Sequence, residues 1–249
     1  MLMLRGNRPK TGPWWRAAGW LIFACLNWFG HGEAVAQPAL PPPPAEVRKP
    51  SLETNSPLKA IGPDLFELGL VRIDKKLRTI AFPALVNLRE GNLEYVVVTT
   101  TGKTHESLLR TEAKPHHLQV ALLLLGAKGA GTNSLPDDPK KPLPGEKVQI
   151  ELNWPEGRKI RRAGVEDFVH DRKNGGKLKR GPWIFTGSRF RDGGFAAELD
   201  GSIVSLITDA DALINNPRPG REDDDNWLVR TNGLPPLSSP VSVVIRLPR

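Results

Sequence analysis

Sulfur is almost absent from this chain: Cys25 is the only cysteine, and Met1 and Met3 are the only methionines. Everything after residue 25 is therefore without disulfides, thiolate nucleophiles and Cys-ligated metals or clusters. No later stretch supplies the about 20 apolar residues of a membrane-spanning helix. Walker A, dinucleotide-binding, CxxC and H-E-x-x-H patterns are also missing. Thr186-Gly187-Ser188 is followed by Arg189-Phe190 rather than the G-x-S-x-G elbow, which speaks against Ser188 as a nucleophile.

The N-terminus carries an export signal. Arg5, Arg8, Lys10 and Arg16 precede an apolar stretch from Ala17 to Gly30, and Ala34-Val35-Ala36 ends it with small residues. That order is the layout of a secretory signal peptide, here residues 1–36. A membrane anchor is disfavoured by the short apolar core. A lipoprotein attached through Cys25 is a further alternative, disfavoured by the bulky Phe23 and by the A-x-A site well beyond it. Residues 37–63 contain eight prolines, including the run Pro41 to Pro44, and read as an extended disordered tether. The expected localisation is the periplasm or cell envelope.

Residues 64–249 form the expected folded domain. Phe66–Ile73, Leu77–Phe82, Leu93–Thr100, Lys147–Trp154, Lys159–Val169, Trp183–Thr186, Phe195–Leu199, Ile203–Thr208 and Val241–Leu247 read as strands. Thr104–Leu109 reads as the hairpin partner of Leu93–Thr100. Pro115–Leu125 reads as a helix, with proline at its first position, Gly126 at its stop and apolar residues nearly all round, hence buried. Asp209 or Asp211 could cap one short helical turn through Ile214. Residues 126–145 form a polar loop, either a surface loop or a lid. The fold class is α+β and mainly β: a barrel- or sandwich-like antiparallel sheet with one buried helix.

The charge is uneven along the chain. Arg158 to Arg191 holds eleven Lys/Arg against three Asp/Glu, and Asp192 to Asn226 holds two Arg against nine Asp/Glu. The two segments either pair with each other or leave a basic surface for an anionic envelope polymer. Export argues against nucleic acid as the partner.

The candidate chemistry is thin. His105-Glu106 falls on an expected strand, where neighbours point to opposite faces. Glu166-Asp167, near His170, could meet His105 or pair with an arginine. His105, Glu106, Glu166 and Asp167 are the candidates for acid–base catalysis, and His105, Glu166 and Asp167 for a divalent metal. The structural alternatives are a hydrogen-bonded histidine and closed ion pairs. His116-His117 diverge around the helix and are poorly placed to share a metal. Glu222-Asp223-Asp224-Asp225-Asn226 offers Ca²⁺ oxygen ligands without the EF-hand alternation. No cofactor is indicated.

GKTHESLL (102–109), PHHLQVALLLLGA (115–127), GVEDFV (164–169), WIFTGS (183–188), ALINNPR (212–218), the acidic run before Trp227 and PVSVVIRL (240–247) occur in order. This series resembles the YdjY-type domain of exported bacterial proteins, over about Phe66 to Arg249. The resemblance implies no particular activity, cofactor or catalytic residue. Some relatives are associated with ferredoxin-type iron–sulfur proteins. With no cysteine after Cys25, this chain cannot hold such a cluster and is not an electron carrier. The expected function is a non-enzymatic domain that binds an envelope protein or anionic polymer. The alternative is a metal-dependent or acid–base hydrolase.

Overall fold

A computed structural model describes residues 57–131, 134–136 and 138–248. The expected signal peptide and residues 37–56 of the expected tether lie outside them. The last tether residues belong to the folded sheet. Lys59–Gly62 is a strand (β1) that turns at Pro63-Asp64 and pairs with Leu65–Leu68 (β2). The expected strand Phe66–Ile73 is broken in two. Gly69, at φ 58°, turns the chain after β2 into Val71–Asp74 (β3). Thr79–Val86 (β4) buries Ile80, Phe82, Ala84 and Val86 on one face and turns Ala81, Pro83 and Leu85 outward.

Tyr95–Thr99 (β5) and Ser107–Thr111 (β6) are neighbours, but they run parallel rather than as a hairpin. The link between them contains a 3-10 turn over Thr104–Glu106. Close backbone contact fixes this course. Gly201 has φ 71°, and a side chain on it would stand 2.2 Å from Thr99 Oγ1 and 2.7 Å from the Gly102 Cα. Two glycines thus let two backbones touch.

The helix Pro115–Leu124 (α1) starts at its proline as expected. It packs beside β3 and β4. Leu118, Ala121 and Leu122 are buried, whereas Val120, Leu123 and Leu124 face outward, so burial takes one face rather than the whole helix. Burial of Leu118 and Leu122 contributes about 1.5–3 kcal/mol each.

The long strand Glu146–Glu156 (β7) alternates buried Val148, Ile150, Leu152 and Trp154 with outward Gln149, Glu151 and Asn153. Lys159–Gly164 (β8) folds back on it. The rest of the expected strand 159–169 becomes a 3-10 turn, Val165–Phe168, and a short strand, Val169–Asp171 (β9). Gly176–Lys177 (β10), Trp183–Phe185 (β11), Phe190–Arg191 (β12) and Gly194–Phe195 (β13) follow. Ala196–Asp200 is a short helix (α2), not the expected strand, because Ala-Ala-Glu-Leu are helix formers and Gly201 ends them in the left-handed conformation. Ser202–Ser205 (β14), Ile214–Asn215 (β15), Trp227–Val229 (β16) and Pro240–Arg246 (β17) complete the chain. The turn expected after Asp209 is not helical, and its end enters β15.

Eight strands close into a barrel in the order β4-β17-β7-β11-β15-β14-β5-β6, with β6 returning to β4. The barrel, rather than a sandwich, surrounds the core. β14–β15 and β5–β6 are its parallel pairs. A small sheet, β10-β9-β16, lies off the barrel path. The loop 126–145 contains no helix or strand among its described residues. Ala130 N–H donates to the Thr186 carbonyl, and Arg221 donates to the carbonyls of Asp138 and Lys141.

A fork in β7 positions the site. Glu146–Val148 pair with β11, and Glu151–Glu156 pair with β8. Gln149 and Ile150 lie between, with no partner strand on that side.

Candidate functional site at the fork of the long strand

The turn Val165–Phe168 sits where β8 leaves β7. It carries Glu166 and Asp167 to opposite surroundings. Glu166 is 5 % exposed. Its Oε1 accepts from Trp183 Nε1 at 3.0 Å and from Arg218 Nη2 at 3.1 Å. Arg218 also donates to the carbonyls of Lys179 and Gly181 and to Asn216 Oδ1, and its guanidinium lies 4.9 Å from the Trp183 ring centre. Burial pushes the Arg218 guanidinium down, and the Glu166 carboxylate opposes this.

No hydrogen bond among the described residues reaches Glu166 Oε2. Glu166 lines a cleft of about 250 Å³ together with Gln149, Glu151, Gly164, Arg180 and Arg246.

Asp167 lies on the other side. It pairs with Lys177 at 3.0 Å and with Arg180. It lines a second cleft, of about 390 Å³, with Arg161, Arg162, Lys177 and Arg230. Trp154 and Phe168 form part of that wall, edge to face with ring centres 5.9 Å apart. Arg161 is paired with Glu156 at 3.3 Å. Arg162 has no carboxylate partner among the described residues. Arg230 donates to the Asp167 carbonyl at 3.0 Å but has no carboxylate partner there either. Four cations thus line the cleft with one carboxylate, and Arg162 and Arg230 are the two without a carboxylate partner among the described residues.

The acidic and basic segments do pair in part. Lys173 reaches Glu222 and Asp223, and Arg189 and Arg191 reach Asp211. Arg158, Lys159, Arg162, Arg172 and Lys179 stay outside such pairs among the described residues.

His105 and Glu106 are on the 3-10 turn, not on a strand, and touch each other at 3.5 Å. The His105 ring is 79 % exposed. Around them Lys103 Nζ donates to Tyr95 Oη at 2.8 Å, and Tyr95 donates to Asp209 at 3.1 Å. Burial and the Asp209 charge push the Tyr95 phenol far up, so it stays protonated. Burial and the nearby Glu106 raise the Glu94 carboxyl.

The structure does not gather His105, Glu166 and Asp167 into one site. Among the described residues, the one group of three acidic, His or Cys side chains with ligand atoms within 4.8 Å of one another is Asp223, Asp224 and Asp225. Asp223 there caps the Asp225 N–H and holds Lys173. His116 ties α1 to α2 through Glu198 at 2.9 Å. His117 is 3 % exposed, with neither ring nitrogen hydrogen-bonded.

Three of the ordered sequence motifs meet at Glu166: GVEDFV supplies Gly164 and Glu166, WIFTGS supplies Trp183, and ALINNPR supplies Arg218. The YdjY domain family matches residues 71–246. This chain belongs to the YdjY domain family. No curated protein and no solved structure matches it.

In this YdjY domain, sequence reasoning named Glu166 and Asp167 but missed Arg218, Arg230 and Gly164. One signal for Arg218 was present. It is one of two cations in a segment otherwise rich in carboxylates, and an isolated cation there calls for a specific partner.

Proposed function

We propose that this YdjY domain is an exported, non-enzymatic binding module that holds an anionic envelope polymer along the β8 hairpin. The observation that carries this reading is the cleft that Arg161, Arg162, Lys177 and Arg230 line with the single carboxylate of Asp167. Arg158 and Lys159 extend the same charge along the exposed end of the hairpin. A groove of one sign attracts a polymer of the other and releases its counterions on binding. The export signal in residues 1–36 supports the envelope as the compartment, and the proline-rich segment after it supports display at a distance. Among the described residues no helix is long and apolar enough to cross a membrane.

The test is retention of the purified protein on an immobilised polyuronate and on an immobilised phosphate polymer, over a salt series. The reading expects binding that weakens steeply with salt. Arg162→Gln should weaken it without lowering the thermal midpoint, and Arg230→Gln should weaken it as well. Retention on neither polymer at low salt would remove the reading.

A further inference from the structure

The fork cleft carries a second inference, independent of the polymer reading. Glu166 is more than nine-tenths buried, yet its Oε2 has no donor among the described residues. That oxygen opens onto the cleft, where a donor from outside the chain can reach it. The space before it is kept open by the absence of a side chain at residue 164. A Cβ added to Gly164 would stand 2.8 Å from Glu166 Oε2 and 3.0 Å from Arg180 Nη1. Gly164 has φ −65° and ψ 141°, a conformation any residue adopts, so the backbone does not require glycine there. The acid and the arginine therefore face each other across the gap, and no ion pair joins them. Arg180 is held by Asp167 from the far side.

The remaining charges on the walls are balanced. Arg180 and Arg246 line it together with Glu151 and Glu166, two charges of each sign. The backbone of Gln149 and Ile150 is without a partner strand on this side. At about 250 Å³ the cleft is smaller than the roughly 300–1,000 Å³ that drug-sized ligands occupy. A polyanion would meet Glu151 and Glu166, and a bare cation would meet both arginines.

We infer that the fork cleft binds a small zwitterion of the α-amino acid class, its ammonium on Glu166 Oε2 and its carboxylate on Arg180 and Arg246. The ammonium gives that oxygen a donor the chain does not supply. The carboxylate forms charge-assisted hydrogen bonds with guanidinium groups, the pairing that arginine geometry favours.

The experiment is calorimetric titration of the purified protein with alanine, with the dipeptide alanyl-alanine, and with acetate and ethylammonium as single-group probes. A saturable signal is expected from at least one of the two zwitterions. Tighter binding of alanine assigns a free amino acid, and tighter binding of the dipeptide assigns a peptide terminus. Acetate and ethylammonium should each bind at least tenfold more weakly. Gly164→Ala fills the gap without disturbing the backbone, and Arg246→Gln changes an exposed rim residue. Each should weaken zwitterion binding at least tenfold; the thermal midpoint should hold for Arg246→Gln, whereas the added methyl of Gly164→Ala also presses on the held Glu166 side chain. No binding of either zwitterion overturns the inference. So does a single-group probe that binds as well as the zwitterion, or affinity that both variants leave within twofold. Because the two variants lie outside the basic cleft, retention on polymer reports separately on the proposed function.

Discussion

Glu166 and Asp167 are neighbours in the chain, and the protein treats them differently. Glu166 is sealed against Trp183 and Arg218, with one oxygen left facing a small cleft of mixed charge. Asp167 stands at the wall of a larger cleft crowded with cations. The 3-10 turn separates them, because consecutive residues there point in different directions. A buried ion pair is costly to break, since the survivor is left charged in a poor solvent. An exposed pair is worth little. One dipeptide therefore combines a fixed structural anchor with an adjustable surface group.

The largest effect should come from breaking the anchor. Arg218→Ala leaves Glu166 without its cation and frees two backbone carbonyls. A loss of about 3–5 kcal/mol in denaturant unfolding is expected. A loss below about 1 kcal/mol would place Glu166 with the surface pairs. Asp167→Asn is the matched change on the exposed side, and it should cost no more than about 1 kcal/mol. If the two substitutions cost the same, the contrast between the neighbours is lost.

In the basic cleft the readout is binding rather than stability. Arg162→Gln and Arg230→Gln should each reduce the salt slope of polymer binding by about one. For Arg162→Gln the unfolding free energy should stay within about 0.5 kcal/mol, whereas Arg230→Gln also loses the hydrogen bond to the Asp167 carbonyl, worth about 0.5–1.5 kcal/mol. A stability loss without a change in slope would mark these arginines as structural.

A pH series compares the clefts with α1. Burial, then His116 and Lys114, push the His117 imidazole below its ordinary 6.5, so the folded state resists its protonation. The unfolded chain binds that proton first as pH falls. Stability should therefore decline as pH drops through about 6.5 toward the lower folded value, and His117→Leu should flatten the decline. An unchanged slope in that variant would place the sensitivity elsewhere.

The smallest effect concerns Glu94, whose carboxyl is raised by burial and by Glu106. Its contribution is fully present below the ordinary value of 4.5 and is lost as pH rises through the higher folded value. Glu94→Gln should therefore raise the thermal midpoint slightly at neutral pH and leave it unchanged in acid.

Local pattern carried much of the fold. Alternation in β7 and β17, the β-branched run of β5 and the proline start of α1 were legible because each rests on residues close in sequence. The short helix at Ala196, the parallel course of β5 and β6 and the outward face of α1 were not. Each depends on what packs against it, such as Gly201 against Gly102. The same division runs through the site. The residues themselves determined a mainly β domain, the charge asymmetry and the two acids of the GVEDFV segment. Only the tertiary structure decided that Arg218, 52 residues beyond Glu166, would be its partner. Only closure of the barrel decided that a forked strand would open a cleft beside that pair. Sequence fixes which groups are charged. Which charges lose water, and which of them meet, depends on contacts between segments far apart in the chain.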